Sequence, residues 1–97
     1  DPLTSMADAY TKVYLNISID LMLEQLAALM ERFSADGLVM HSNRSCKPYS
    51  LGQYDLSRAI TEKTGKPALI IEADMTDSRA YSEAQTRERV EAFIESL

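Results

Sequence analysis

Apolar residues recur along this chain with two different spacings, and the spacing predicts the order of helices and strands. Between Ser18 and Ala35 they lie three or four residues apart, which is the period of an amphipathic helix. Two short runs, Leu38 to His41 or Ser42 and Ala68 to Ala73, are nearly continuous in apolar residues. Such runs are typical of parallel strands that helices cover on both faces. The helical stripe consists of Ile19, Met22, Leu23, Leu26, Leu29, Met30 and Phe33.

The helix that carries this stripe has recognisable ends. Asn16 or Ser18 can cap its start, and Asp36-Gly37 is expected to stop it, with Gly37 adopting a positive φ. The preceding segment, Asp1 to Leu15, has apolar residues at helical spacing, which predicts a short helix or an irregular arm.

Two further helices follow the predicted strands. The first runs from about Leu51 to Thr64, begins with a capping box of Ser50 and Gln53, and ends at Gly65. The second begins with another Ser-x-x-Gln capping box, which starts at Ser82. Its predicted buried stripe consists of Val90, Phe93, Ile94 and Leu97.

The predicted order is therefore α-β-α-β-α, with one β-α-β unit and a right-handed crossover. This order indicates an α/β fold, a fragment of a Rossmann- or flavodoxin-like domain with a parallel sheet. A length of 97 residues allows one domain at most, so we expect residues 1–97 to form a single, partial α/β domain. Two strands leave sheet edges and part of the wide helical stripe uncovered, so self-association through a sheet edge or through the helices is expected.

Composition narrows the classes of partner. Ten Lys and Arg residues against fifteen Asp and Glu give a net charge of -5, and there is no basic run and no tryptophan. We therefore expect neither a nucleic-acid partner nor, in the absence of a long apolar run, a membrane. A single cysteine cannot form an internal disulfide, so a reducing, cytoplasmic setting is expected.

Candidate chemistry is concentrated in the two loops that follow the strands. The loops run from Asn43 to Tyr49 and from Asp74 to Tyr81. Because the carboxyl ends of parallel strands meet at one edge of a sheet, we expect the two loops to share a cleft there. Helix N-termini at the same edge favour anions.

Cys46 is the most distinctive residue of the first loop. A lone cysteine is commonly a small buried hydrophobe, but this one lies between Arg44 and Lys47, just before a helix start. That setting favours a thiolate, which suits either a nucleophile or one ligand of a metal site. His41 ends the first strand and is either a hydrogen-bonded core residue or a functional partner of Cys46.

Three segments resemble a known family. One is the run from Asp36 to Ser50, continued by Gly52-Gln53-Tyr54-Asp55; the others are Ile71 to Met75 and Asp77 to Arg87. These segments are similar to the C-terminal region of subunits of the 2-hydroxyacyl-CoA dehydratase/benzoyl-CoA reductase family. The resemblance covers nearly the whole chain. The sequence around Cys46 is more similar to the benzoyl-CoA reductase branch than to the dehydratases.

The resemblance implies an enzyme of anaerobic metabolism. Subunits of this family hold a 4Fe–4S cluster through three cysteines, pair with a second related subunit, and receive low-potential electrons from an ATP-dependent iron–sulfur activator. The acyl-CoA substrate is reduced to a ketyl radical, which leads either to reduction of an aromatic ring or to loss of water from a 2-hydroxyacyl group. Cys46 corresponds to the last cluster cysteine of the family. The other two cysteines are absent, which implies a C-terminal piece of a larger subunit.

Other loop residues are candidates for roles by their chemical type and charge. His41 and Ser45 are the candidate catalytic groups, whereas Arg44, Lys47 and Arg79 are candidates for binding the phosphates of CoA. On its own the chain should neither assemble a cluster nor be active, because such clusters need several thiolates. The alternative from another class is a non-catalytic structural or binding module that uses a lone reactive Cys46.

Overall fold

The structure, a computed structural model, describes all residues from Asp1 to Leu97 and confirms the α/β architecture. Two 3-10 turns, Tyr14–Asn16 and Ser78–Ala80, supplement the regular elements. The helices and strands are α1 (Pro2–Thr11), α2 (Ile19–Arg32), β1 (Leu38–Asn43), α3 (Lys47–Ser50), α4 (Gln53–Thr64), β2 (Ala68–Ala73) and α5 (Glu83–Glu95).

The two strands pair in parallel, as predicted, with α3 and α4 in the connection between them. Leu38 lies opposite Ala68 at one end of the register, and Asn43 lies opposite Ala73 at the other. β2 has the predicted bounds, whereas β1 continues one residue beyond Ser42. The sheet therefore ends where the two polar loops begin.

The core is formed by the sheet together with α2 and α4. Leu56 and Ile60 of α4 are the most completely buried large side chains, and Met40 and Ile70 contribute from the strands. Met22, Leu23 and Leu26 of α2 pack against this cluster while remaining partly exposed. The predicted α2 stripe is thus only partly covered: Met30 is buried, but Phe33 at the end of the stripe is 71% exposed.

The boundaries of α2 confirm one prediction and correct another. Ser18 caps the start, since its hydroxyl oxygen accepts a hydrogen bond from the amide of Leu21 at 3.4 Å. Beyond the end of the helix, the residue with positive φ is Ser34 (51°), so the prediction for Gly37 is wrong. Gly37 serves a different purpose, because a Cβ there would lie 2.7 Å from the ring of Phe93. The absence of a side chain lets α5 approach the start of β1.

The capping box predicted at the start of α4 is also wrong. Ser50 belongs to the short helix α3, and its hydroxyl donates to the carbonyl of Cys46 at 2.9 Å. Gly52 is the N-cap of α4 and provides no side-chain bond. Gln53 reaches out of the helix and donates from Nε2 to the carbonyl of His41 at 2.7 Å. The end of α4 is as predicted, with Gly65 in the left-handed region at φ 70°.

Helix α5 is packed less closely than its sequence predicts. Ser82 caps it by accepting a bond from the amide of Gln85 at 3.5 Å, but no bond returns from the Gln85 side chain. Val90 and Phe93 are half-buried, as the stripe requires, whereas Ile94 and Leu97 are mostly exposed. The reason is that α5 packs chiefly on β2 and beside Gly37.

Arg89 attaches α5 to the sheet. It donates a hydrogen bond from Nη2 to the carbonyl of Ile70 in β2, at 2.8 Å.

The N-terminal segment is a helix, which is the first of its two predicted forms, and every residue of α1 is exposed. Among the helices of this chain, none combines the length and the apolar character needed to cross a lipid bilayer.

Candidate functional site

The two polar loops meet at the carboxyl edge of the sheet, as the parallel topology predicts. The amide of Arg44 donates to the carbonyl of Ala73 at 3.0 Å, which extends the strand pairing into the loops. Beyond this bond, the hydroxyl of Ser45 donates to the carboxylate of Asp74. The loops touch directly, and none of the four principal cavities is lined by residues of both, so the expected shared cleft is not found among them.

Asp74 is the anchor of this contact. Besides the bond from Ser45, its carboxylate accepts bonds from the amide and the hydroxyl of Thr76, both at 2.9 Å, and from the amide of Asp77 at 3.2 Å. These donors, the Ser45 hydroxyl above all, hold the pKa of Asp74 far below its ordinary value. Asp74 is therefore an ionised acceptor that fixes both loops, and sequence reasoning gave it no role.

A second connection joins the first loop to the end of β2. Arg44 forms an ion pair with Glu72, with Nη2 and Oε2 3.1 Å apart, and the Tyr54 hydroxyl donates to the other carboxylate oxygen at 3.0 Å. The bonds from Arg44 and Tyr54 lower the pKa of Glu72, and the bond to Glu72 raises the pKa of Tyr54. Arg44, a candidate for phosphate binding, is thus already paired within the chain.

The other two cationic candidates differ from each other. Arg79 contacts both carboxylate oxygens of Asp77, at 2.9 Å from Nε and 2.8 Å from Nη2. This pairing lowers the pKa of Asp77 and raises the pKa of Arg79. Lys47 is exposed and forms no ion pair. Of the three candidates, Lys47 is the one whose charge is free for an anionic ligand.

Cys46 is held in place through its backbone. It is half-buried at the N-cap of α3, and its amide donates to the carbonyl of Asn43 at 3.0 Å. Its carbonyl accepts from the amides of Tyr49 at 3.2 Å and Ser50 at 3.0 Å, in addition to the Ser50 hydroxyl. The position of the thiol along the loop is therefore well determined.

The residues of this chain do not make a cluster site on their own. No group of three or more His, Cys, Asp or Glu side chains is arranged to hold a metal ion, and Cys46 is the sole cysteine. A 4Fe–4S cluster normally requires four ligands, most of them cysteine thiolates, so Cys46 can contribute one of them at most. His41 does not supplement it: the residue is exposed on β1, and no hydrogen bond links its imidazole to Cys46.

Comparison with known proteins identifies the family. Residues 1–97 match the model of the family described as 2-hydroxyglutaryl-CoA dehydratase, D-component. The alpha subunit of lactoyl-CoA dehydratase of Anaerotignum propionicum is 42% identical over 96% of this chain, and a benzoyl-CoA reductase subunit of Thauera aromatica is 38% identical over 100%. The (R)-2-hydroxyisocaproyl-CoA dehydratase alpha subunit of Clostridioides difficile is 36% identical over 98%.

The match covers a limited part of these relatives. The chain spans 22%, 22% and 23% of their respective lengths. Their names include both dehydratases and a reductase, and each is named as one subunit of its enzyme. The resemblance stated from the loop segments is confirmed, and the chain belongs to the 2-hydroxyglutaryl-CoA dehydratase D-component family.

Proposed function

We propose that this chain is part of an enzyme subunit that reduces an acyl-CoA thioester by one electron to a ketyl radical. The observation that carries the proposal is the match of all 97 residues to a family whose named relatives act on CoA thioesters. The anchored loops at the carboxyl edge of the sheet support it, because this edge is where α/β sheets bind ligands.

Two outcomes of the radical step are candidates. Reduction of an aromatic acyl-CoA is favoured by the amino-acid sequence around Cys46 and by 38% identity to the benzoyl-CoA reductase subunit. Loss of water from a 2-hydroxyacyl-CoA is the second candidate, favoured by 42% identity to the alpha subunit of lactoyl-CoA dehydratase. The two reactions have different products, so mass spectrometry separates them.

The activity test uses the full-length protein that contains this chain. We propose that it works with a second, related subunit and an ATP-dependent iron–sulfur activator, because the relatives are named as subunits. Under anaerobic conditions with ATP and dithionite as the electron donor, a 2-hydroxyacyl-CoA should lose the mass of one water molecule if the enzyme is a dehydratase, and benzoyl-CoA should gain two hydrogens, as two electrons from dithionite and two protons from water, if it is a reductase. Conversion of neither thioester would overturn the proposal and favour a non-catalytic module.

Cys46 is proposed as one ligand of a 4Fe–4S cluster whose other ligands lie outside these 97 residues. The rigid backbone around Cys46 supports this role. Such a cluster, when bound, supplies electrons at low potential. Cys46→Ser in the full-length protein should lower the iron content and the visible absorption, whereas Ser78→Ala, an exposed change in the second loop, should leave both unchanged. Normal iron content in the Cys46→Ser protein would exclude the role.

A further inference from the structure

Asn43, the last residue of β1, is hydrogen-bonded to both of the polar loops. Its main-chain carbonyl accepts a bond from the amide of Cys46 at 3.0 Å. Its side-chain Oδ1 accepts a bond from the amide of Met75, in the second loop, at 3.4 Å. The residue is only 8% exposed. One buried residue therefore links the turn that carries Cys46 to the loop that follows the neighbouring strand.

The carboxamide of Asn43 has a second polar atom, Nδ2, which is not used within the chain. The bond from the Met75 amide fixes the orientation of the carboxamide, because a flip would bring two N–H groups together. Nδ2 is not enclosed, since Gln53 Oε1 is the one fully buried side-chain polar atom without a partner. Asn43 thus holds an unpaired donor in a fixed position, open to the carboxyl edge of the sheet beside the Met75 backbone.

The charged acceptors of the two loops are already paired. Asp74 accepts four hydrogen bonds from the loops themselves, and Asp77 is paired with Arg79. Cys46 lies one turn further along the chain, but no hydrogen bond joins its thiol to the Asn43 carboxamide. A donor of a residue that is more than nine-tenths buried is costly to leave unpaired, so a group bound at this edge gains by supplying an acceptor.

Ser42, the preceding residue, offers a comparison on the other face of the strand. It is 5% exposed and carries a hydroxyl donor. Successive side chains of a strand point to opposite faces, so Ser42 lies on the face of Met40, which packs in the core with Leu56 of α4. Of these two polar residues, only Asn43 is bonded to the second loop.

We propose that Asn43 is a positioning residue for the cluster that Cys46 helps to hold: Oδ1 fixes the second loop, and Nδ2 donates a hydrogen bond to a sulfur atom of the cluster. The inference rests on the proposed function, because that function supplies the cluster. Iron-bound sulfur accepts hydrogen bonds, and these raise the reduction potential because they stabilise the additional negative charge of the reduced form. Asn43 thereby adjusts the potential without being a ligand of iron.

The test uses the full-length protein, reduced under anaerobic conditions, with nitrogen-15 in the side-chain amide of its asparagines. Pulsed EPR of the reduced cluster should detect a magnetic coupling to this nitrogen. Asn43→Asp keeps an acceptor for the Met75 amide but lacks the donor, and it should abolish the coupling. Asn43→Asp and the neutral Asn43→Leu should both shift the midpoint potential of the bound cluster to more negative values. Ser42→Ala is the matched control and should change neither the coupling nor the potential.

Three results would overturn the inference: no asparagine coupling in the unaltered protein, a coupling that persists in Asn43→Asp, or a potential in Asn43→Leu no more negative than in Ser42→Ala. The first result would mean that Nδ2 meets only water. If Asn43→Leu does not fold, the unaltered protein and Asn43→Asp still decide the question.

The proposed function fails in a distinguishable way. A full-length protein that binds no iron would overturn both proposals. A cluster that shows the coupling, in a protein that converts no thioester, would contradict the activity alone and leave the role of Asn43 intact.

Discussion

The sheet unit and the terminal helices of this chain bury their apolar residues to different extents. The five buried hydrophobic residues belong to α2, β1, α4 and β2, whereas α1 and α5 contain none. The exposed apolar residues of α1 include Leu3, Met6 and Tyr10. The difference teaches that the stability of the chain comes from the sheet unit, while the terminal helices present surfaces that other protein can cover.

The largest expected effect comes from the centre of the sheet unit. Leu56→Ala should lower the free energy of unfolding by about 2–5 kcal/mol, because the residue is almost completely buried and its neighbours relax only partly around the cavity. Leu3→Ala in α1 is the matched control and should change it by about 0.5 kcal/mol or less. Urea denaturation measures both, and similar losses at the two positions would contradict the comparison.

The next effect concerns association of the 97-residue chain, which we expect to self-associate. Leu3 and Met6 lie on one stripe of α1, and burial of each is worth about 1.5–3 kcal/mol. Leu3→Lys combined with Met6→Lys should therefore weaken association at least about tenfold, measured by sedimentation.

The control for this prediction adds the same charge elsewhere on α1. Ser5→Lys combined with Thr11→Lys lies away from the apolar stripe and should have a smaller effect. A chain that is monomeric at micromolar concentration before any substitution would show that the exposed faces do not drive association.

A smaller effect is expected where the terminal helix α5 meets the sheet unit. Gly37→Ala should destabilise the chain by about 1–3 kcal/mol, because the new methyl group would overlap the ring of Phe93. Phe93→Leu in the same protein should restore part of the loss. Gly65→Ala is the control: it costs about 1–2 kcal/mol through its left-handed φ, has no neighbour to displace, and should not respond to Phe93→Leu.

The smallest effect concerns pH and the contact between the loops. Hydrogen bonds to the ionised carboxylate depress the folded-state pKa of Asp74, so its stabilising effect is present above about pH 4 and is lost as the pH falls towards that lower pKa. Asp74→Asn should therefore lose stability at pH 7 and show a weaker decline between about pH 5 and pH 3, as followed by urea midpoints.

The control for the pH prediction is Glu91→Gln, which removes the same charge at an exposed position of α5 where the carboxylate accepts no hydrogen bond. It should change the acid decline less than Asp74→Asn does. An equal change in both variants would show that general charge repulsion, and not the Asp74 contact, sets the acid stability.

The sequence predicts those parts of the structure that depend on local pattern and topology. The bounds of β2, the cap at Ser18 and the stop at Gly65 follow from composition and spacing. The meeting of the two loops follows from parallel pairing alone. The family follows from the amino-acid sequences of the loop segments.

Competition between neighbouring side chains could not be predicted. Ser50 bonds to Cys46 because α3 forms, which leaves Gln53 to reach His41. The role of Asp74 depends on a serine 29 positions away in the sequence. The cavity of about 310 Å³ beside Gln53 could not be predicted from residue spacing either, because its walls come from separate elements.

The two side chains that bond to strand carbonyls also protect the edges of the sheet. The amides of Leu38 and Arg44 bond to the carbonyls of Pro67 and Ala73, so by alternation the carbonyls of His41 and Ile70 point away from the partner strand. Gln53 covers the first of these outer acceptors and Arg89 the second. A third strand at either edge would have to displace one of these donors, whereas the exposed faces of α1 and α5 are open. Further polypeptide can therefore pack more easily against the helices α1 and α5 than pair with an edge of the sheet.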